Sequence, residues 1–287
     1  MTTPVQSVLE RSDSLVFPGV YDTLSAKLAE RAGFELAFVS GYAVSATCIG
    51  EPDVGLLTQS EVVDRAWRIC GSVGIPIIVD ADTGYGNPLN VVRTVRELIA
   101  AGAAGCFLED QVWPKRCGHM RGKRVIPRDE YLGKIRAAVD ARGDADFFLV
   151  ARTDAIADRG LDEALARAEA ARAAGADATF VEAPRTREEL IEVGRRAPRP
   201  TVANMVEQGR TPVLPREELA ALGFQLVLYP VSGLYAAARA LEVVYGRLRA
   251  EGSTAGAEEQ LIAFERFNDL IGVEEKHALA SRYDGDS

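Results

Sequence analysis

The feature that most constrains this chain is an alternation. Short apolar runs at residues 15–20, 36–40, 75–80, 104–109, 147–152, 178–182, 201–203 and 225–229 are each followed by an Ala/Leu/Glu/Arg-rich stretch at helical period. Those stretches cover residues 23–32, 60–73, 89–101, 128–141, 161–174, 187–196, 215–222 and 234–250. The runs are continuously apolar rather than alternating, as in a parallel sheet covered by helices on its outer face. Three junctions repeat one design. Arg31-Ala32-Gly33, Ala101-Gly102-Ala103 and Ala174-Gly175-Ala176 each end a helix in Ala-Gly and lead into a strand with an aromatic near its end. Glycine supplies the left-handed cap such an ending needs. Eight strand–helix pairs at this spacing predict an α/β chain folded as a (β/α)8 barrel. A doubly wound open sheet is the rival, but no Gly-x-Gly-x-x-Gly follows the first strand.

Residues 1–250 form the expected catalytic barrel. Beyond the linker Glu251-Gly252-Ser253-Thr254-Ala255-Gly256, residues 251–287 read as a helical extension with helices at 258–270 and 273–281. Its apolar residues Leu261, Phe264, Phe267, Leu270 and Ile271 need a surface to bury against, either this barrel or a second subunit. The 287 residues carry 33 Lys+Arg against 42 Asp+Glu, a net charge of −9 that argues against a general nucleic-acid binder. No apolar run is long enough to span a membrane. Residues 1–16 lack a cationic start and apolar stretch, so no secretory signal is expected. Cys48, Cys70, Cys106 and Cys117 form no CxxC pair, which suits free thiols in a reducing cytoplasm.

A parallel barrel carries its chemistry at the C-terminal strand ends. Those ends read Ser40, Asp80 with Asp82, Glu109 with Asp110, Arg152 with Asp154, Glu182, and Asn204. Strand side chains alternate, so Asp80 and Asp82 should face the mouth together, with Glu109 arriving from the next strand. Three carboxylates in one pocket repel one another unless a cation sits among them. Oxygen-only ligands favour Mg²⁺ or Mn²⁺, partly held through water. An N-cap for one Asp and a salt bridge for another is the competing structural account.

Residues 111–128 are long for a βα connection and form a candidate lid. Within it, Lys115-Arg116-Cys117-Gly118-His119-Met120-Arg121-Gly122-Lys123-Arg124 places a cysteine among cations, which predicts a thiolate-favouring setting. Gly118 and Gly122 are candidate hinges. A basic lid over an acidic, metal-binding mouth would enclose a small anion, and Cys117 could exchange one proton at carbon. Cys70 and Cys106 read as inert, and Trp67 as core. His277 reads as packing or surface. Cys48, Trp113 and Gly84-Tyr85-Gly86 admit either structural or functional readings.

These motifs, together with Leu108-Glu109-Asp110-Gln111, Ala151-Arg152-Thr153-Asp154, Val181-Glu182-Ala183 and Asn204-Met205-Val206-Glu207, resemble the isocitrate lyase/phosphoenolpyruvate mutase superfamily along nearly the whole chain. Within it the sequence is most similar to the 2-alkylmalate lyase branch. The resemblance implies that Asp80, Asp82 and Glu109 hold Mg²⁺ with Asp53 nearby. It implies that Ser40, Gly41 and Tyr42 receive a substrate carboxylate, and that Arg152, Glu182, Asn204, Gly118 and His119 complete the pocket. Cys117 would protonate a departing carbanion, with Lys115, His119, Arg152 and Tyr42 as further catalytic groups. It also implies a homotetramer, a dimer of dimers whose eighth helix is swapped between subunits.

Two positions depart from relatives. Lyases of this branch that act on methylisocitrate have Tyr two residues before the Ser, where this chain has Phe38, so Tyr42 or a metal-bound water would have to be the base. Pro230 matches the lyases rather than the oxaloacetate-hydrolysing relatives, which tend to have Ser or Thr. The expected activity is therefore Mg²⁺-dependent carbon–carbon cleavage of a 2-hydroxy dicarboxylate to an α-keto acid. The rivals are phosphonomutase chemistry forming a P–C bond, oxaloacetate hydrolysis, and a non-catalytic α-keto acid sensor.

Overall fold

In the computed structural model, which describes residues 3–120 and 122–283, Arg121 of the candidate lid lies outside the described residues. The chain runs α1 (Pro4–Leu9), β1 (Leu15–Val20), α2 (Thr23–Arg31), β2 (Ala37–Val39), α3 (Gly41–Cys48), α4 (Gln59–Cys70), β3 (Ile77–Asp80), α5 (Pro88–Ala100), β4 (Gly105–Glu109), α6 (Arg128–Arg142) and β5 (Phe148–Thr153). It continues through α7 (Ile156–Arg159), α8 (Leu161–Ala173), β6 (Ala178–Val181), α9 (Arg187–Arg196), β7 (Thr201–Asn204), α10 (Arg216–Leu222), β8 (Leu226–Tyr229), α11 (Ser232–Glu251), a 3-10 turn (Glu258–Gln260), α12 (Phe264–Ile271) and α13 (Val273–Ala280). The strands are parallel and close in chain order, β8 returning to β1. This is the (β/α)8 barrel the alternation predicts.

Local chemistry explains the boundaries. The repeated glycines Gly33, Gly102 and Gly175 take φ of +88°, +86° and +107° just past their helices, the left-handed turn open to glycine at little cost. Thr58 and Glu61 form a reciprocal capping box at the start of α4. Asp22 accepts from the Ser25 amide to open α2. The helices α1, α3 and α7 are absent from the sequence reading. Each is short, and α3, Gly-Tyr-Ala-Val-Ser-Ala-Thr-Cys, contains few strong helix formers. The expected helix 258–270 is also broken, into the 3-10 turn and α12.

Period-two alternation divides each strand between two cores. Phe17, Phe38, Ile78, Phe107, Phe148, Val150, Phe180, Val202, Leu226 and Leu228 share one buried cluster inside the barrel, joined by Val5 and Val8 of α1. Phe38 packs tilted against Phe107 at 4.7 Å and Phe107 meets Phe180 edge-to-face at 5.5 Å, an aromatic layer below the mouth. The intervening residues, such as Cys106, Leu108, Leu149 and Ala151, belong to the outer layer under the helices. Adding two residues to the inner row of β2 to β7 gives Ser40, Asp80, Glu109, Arg152, Glu182 and Asn204, and the same step on β1 and β8 gives Gly19 and Pro230.

The chain divides into two compact units, Met1–Gly233 and Leu234–Ser287. The division falls near the start of α11, rather than at the linker after residue 250. None of the 20 residues of α11 is buried. Of the apolar residues anticipated to bury in the extension only Leu270 does so, while Leu261, Phe264 and Ile271 are 44%, 80% and 42% exposed. Trp67, expected in the core, is 58% exposed on α4.

Candidate active site

The mouth is built by register. Glu109 pairs with Arg152 across β4 and β5, which sets the Arg152 Nε 3.2 Å from Glu109 Oε2. Arg152 also donates from Nε and Nη2 to Asp154 at 2.9 and 3.2 Å, and its Nη2 is 3.7 Å from Glu182. The guanidinium lies 5.4 Å from the Phe180 ring centroid. Tyr131 of α6 donates its hydroxyl to the Arg152 carbonyl at 2.8 Å. Glu182 accepts from Asn204 Nδ2 at 3.1 Å and faces His119 Nε2 at 3.2 Å. The opposite His119 nitrogen, Nδ1, accepts the Arg210 amide at 2.9 Å. That fixes Nε2 as the protonated nitrogen pointing at Glu182.

On the other side, Asp80 and Asp82 converge for a reason other than strand alternation. β3 ends at Asp80, and Asp82 takes a left-handed φ of +47° with its amide donating to Asp80 Oδ1 at 3.1 Å. The four non-glycine residues with positive φ among those described are Asp82, Tyr85, Ala183 and Gln208. All follow the C-terminal ends of β3, β6 or β7, so backbone strain is concentrated around the mouth. Ser40 caps α3, accepting from the Ala43 amide at 3.4 Å, so the N-terminal end of the helix opens at the mouth. A Cβ on Gly41 would stand 2.8 Å from Asp80 Oδ2, so only a glycine lets α3 start this close.

The lid is zipped at its base and folded onto the mouth. Gln111 bridges Val125, the Val112 amide donates to the Arg124 carbonyl at 2.8 Å, and the Ile126 amide to the Asp110 carbonyl at 2.9 Å. Lys115 Nζ reaches Asp53 and Asp82 at 2.5 and 2.7 Å. A Cβ on Gly118 would meet Glu182 Cδ at 2.5 Å and Arg152 Nη2 at 2.8 Å. Gly118 is therefore a close-approach position, while Gly122 takes a left-handed φ of +79°, a conformation that favours glycine. Trp113 lines a cavity of about 670 Å³ formed by the lid and meets Tyr85 edge-on at 6.1 Å.

Cys117 corrects one expectation. Burial pushes its thiol up to about 11, with Asp53 adding to the rise and Lys115 only partly offsetting it. Lys115 and Lys123 are held by Asp53, Asp82 and Asp154 rather than by the sulfur, so the setting favours the thiol over the thiolate that the cation-rich motif predicts. Cys70 is likewise raised to about 11 and Cys106 higher still, both mainly by burial, while Cys48 is exposed. His277 is at the surface, its side chain 71% exposed.

The magnesium ion implied by the resemblance can be tested against these donors. Both Glu109 carboxylate oxygens are buried without a hydrogen-bond donor, and burial holds Glu109 well above the usual carboxylate range against the pull of Arg152. Burial also raises Asp82 to about 7, although Lys115 opposes the rise; Asp80 and Asp53 reinforce it. Burial of these two acids outweighs the cations they touch, and a hard divalent cation with oxygen ligands would add the positive charge that favours their ionised forms. Among the described residues no three His, Cys, Asp or Glu side chains are already gathered as direct ligands, and the Lys115 ammonium stands between Asp53 and Asp82. Ligation partly through water fits both facts.

Lys123 and Asp154 are functional candidates absent from the expected site. Their ion pair is 2.6 Å long, with both side chains fully buried. The signal for it is distributed: Lys123 reads as one more lid cation, and Asp154 as one more strand-end acid.

The chain matches the phosphoenolpyruvate phosphomutase family over residues 6–248. It is 50% identical to the chloroplastic carboxyvinyl-carboxyphosphonate phosphorylmutase of Arabidopsis thaliana, with 98% of this chain and 84% of that protein covered. It is 45% identical to the 2,3-dimethylmalate lyase of Eubacterium barkeri, covering 97% of this chain and 96% of the relative. Among solved structures, oxaloacetate acetylhydrolase in complex with 3,3-difluorooxalacetate superimposes with a TM-score of 0.92 at 38% identity, covering 99% and 97% of the two chains. Phosphonopyruvate hydrolase in complex with oxalate and Mg²⁺ does so with a TM-score of 0.88 at 33% identity, covering 99% of each.

Proposed function

The chain belongs to the phosphoenolpyruvate phosphomutase family, and from that premise we propose that it is a magnesium-dependent carbon–carbon lyase cleaving a 2-hydroxy dicarboxylate of the 2-alkylmalate type. Asp53, Asp80, Asp82 and Glu109 would hold the ion. When bound, it lowers the pKa of the substrate's 2-hydroxyl and offsets the charge of its chelating oxygens.

The chain's own groups supply the rest. The amides of Gly41 and Tyr42 with Ser40, at the positive end of α3, receive one carboxylate. Arg152 faces the other fragment, and its buried charge stabilises the enolate-like carboxylate that forms as C2–C3 breaks. The 2-hydroxyl proton passes to a base. Phe38, at the position of the relatives' tyrosine, has no group that can accept a proton, so we assign that role to Tyr42 acting as its phenolate. The hydroxyl oxygen becomes the carbonyl of an α-keto acid, and the C2–C3 electron pair stays on C3. The Cys117 thiol then gives its proton to C3, leaving a thiolate that solvent reprotonates as Tyr42 releases its proton. Lys115 and His119 hold the lid over this chemistry and keep water away from the carbanion.

One observation carries the reading: the lid is folded onto the mouth, with Lys115 on Asp53 and Asp82, Gly118 against Glu182 and Arg152, and Cys117 between them, its amide donating to the Asp53 carbonyl. The test is release of pyruvate or another α-keto acid from a panel of substituted malates, with and without EDTA. EDTA-sensitive release from an alkylmalate supports the reading, and no release from any member of the panel rejects it. The 50% identity to a phosphorylmutase makes P–C bond formation the second reading; phosphorus NMR with carboxyphosphonoenolpyruvate detects it directly.

We further infer a homotetramer, a dimer of dimers with α11 exchanged between subunits, because α11 and α12 leave large apolar side chains exposed. No described helix is long and apolar enough to cross a membrane. A reducing cytoplasm remains our proposed setting for an enzyme with four free cysteines.

A further inference from the structure

Three carboxylates compete for one guanidinium at this mouth. Arg152 touches Glu109 at 3.2 Å through Nε and approaches Glu182 at 3.7 Å through Nη2, but its two-point contact is with Asp154. Asp154 Oδ1 also accepts Lys123 Nζ at 2.6 Å. One buried carboxylate therefore holds both the strand residue that faces substrate and a cation delivered by the lid. Its own position is fixed from behind. The Asp154 amide donates to Asp110 Oδ1 at 2.8 Å, and Asp110 Oδ2 takes Thr153 Oγ1 at 2.6 Å and Arg167 Nη1 at 3.1 Å. The same Arg167 nitrogen holds the Ile126 carbonyl at the lid's end, 2.8 Å away.

We propose that Asp154 and Lys123 are positioning residues that couple lid closure to the alignment of Arg152. With the lid down, Lys123 neutralises Asp154, and Arg152 keeps one bidentate partner while remaining available to an anion in the mouth. With Lys123 withdrawn, Asp154 faces Arg152 as an uncompensated buried carboxylate and binds it more tightly, so the guanidinium is less available to ligand. Without the Asp154 charge, Arg152 turns to Glu109 and Glu182, and Glu109 is then lost to the cation. Either route makes anion binding and lid position depend on one another.

The inference rests on the lyase reading only for the kind of anion bound, so its test uses oxalate with MgCl₂, which needs no turnover. The chain has two tryptophans, so Trp67→Phe leaves Trp113, on the lid, as the sole indole reporter. In that background, oxalate and MgCl₂ should change Trp113 emission. Asp154→Asn and Lys123→Met should each weaken oxalate binding at least roughly tenfold and reduce the emission change, and Lys123→Arg should restore most of both. The double variant should be no weaker than the worse single, because both act through one carboxylate.

Additive losses, or single variants that bind oxalate and change emission as the background does, would overturn the proposal. If Asp154→Asn does not fold by circular dichroism, the Lys123→Met and Lys123→Arg pair decides: loss with rescue supports the coupling, and loss without rescue or no loss rejects it. A failure of malate cleavage alone, with oxalate behaving as expected, would reject the proposed substrate and leave the coupling standing.

Discussion

At the residue scale the protonation of Cys117 decides which chemistry is open. A thiol raised to about 11 from an ordinary 9.0 binds its proton more tightly in the folded protein. Its stabilising contribution is therefore complete below about pH 9 and is lost as pH rises through about 11. Iodoacetamide should accordingly alkylate Cys48 well before Cys117 at pH 8, and Cys117 labelling should accelerate only as pH nears 11; peptide mass mapping across pH reads this. Cys117→Ser should lower kcat on the order of 100- to 10,000-fold with little change in KM, since serine is a far weaker proton donor at the same position. Equal kcat would remove Cys117 from the reaction. Pro230 is the second decisive residue. It is buried just past β8, its carbonyl packed so close that a Cβ on Gly19 would approach it to 2.0 Å. Pro230 offers no side-chain donor to an attacking water or an oxaloacetate hydrate, so Pro230→Ser should raise oxaloacetate hydrolysis relative to alkylmalate cleavage. An unchanged ratio of the two rates would show that this position does not set the branch.

At the scale of elements, the lid depends on close approach more than on hinge freedom. Gly118→Ala puts a methyl into Glu182 and Arg152, two buried groups that cannot retreat together. It should cost at least roughly 100-fold in kcat/KM through misplacement of the lid. A change in Tm of no more than about 3 °C is expected, because the barrel beneath is unaltered; a large fall in Tm with intact kcat/KM would reverse that assignment. The elements also show where sequence reading succeeds. The strands are legible because each apolar run is bracketed by glycine or a polar end, and the inner-row residues Glu109, Arg152 and Glu182 follow from period two alone. α3 is not legible, since tertiary packing and the Ser40 cap, rather than propensity, make Gly41–Cys48 helical. Strand alternation puts Asp82 in the right company by a wrong rule, because a turn with positive φ takes the place of the alternation. The Lys123–Asp154 pair joins residues 31 apart in sequence, and no local pattern carries a pairing that only the folded lid creates.

At the scale of the whole molecule, two deficits are visible, one of charge and one of burial. Buried carboxylates at the mouth, in a chain of net charge −9, favour a state that brings in a further cation. Mg²⁺ at about 100 times its dissociation constant should stabilise the fold by about 2.7 kcal/mol, a rise in Tm that EDTA reverses and that Glu109→Gln reduces; an identical Tm with and without the ion would argue against the cation site. The second deficit lies in the C-terminal unit. Tyr235, Leu241, Tyr245 and Leu248 of α11 are 41%, 49%, 62% and 40% exposed, and Phe264 of α12 is 80% exposed. Large apolar side chains exposed on two helices are what an interface would cover, and exchange of α11 between subunits would bury them. Light scattering after size exclusion should then give a tetramer. Leu241→Glu with Tyr245→Glu should reduce it to smaller species with lower Tm, because two charges would enter an apolar interface. A monomer for the unaltered chain, or a tetramer indifferent to both charges, would exclude α11 as the exchanged element.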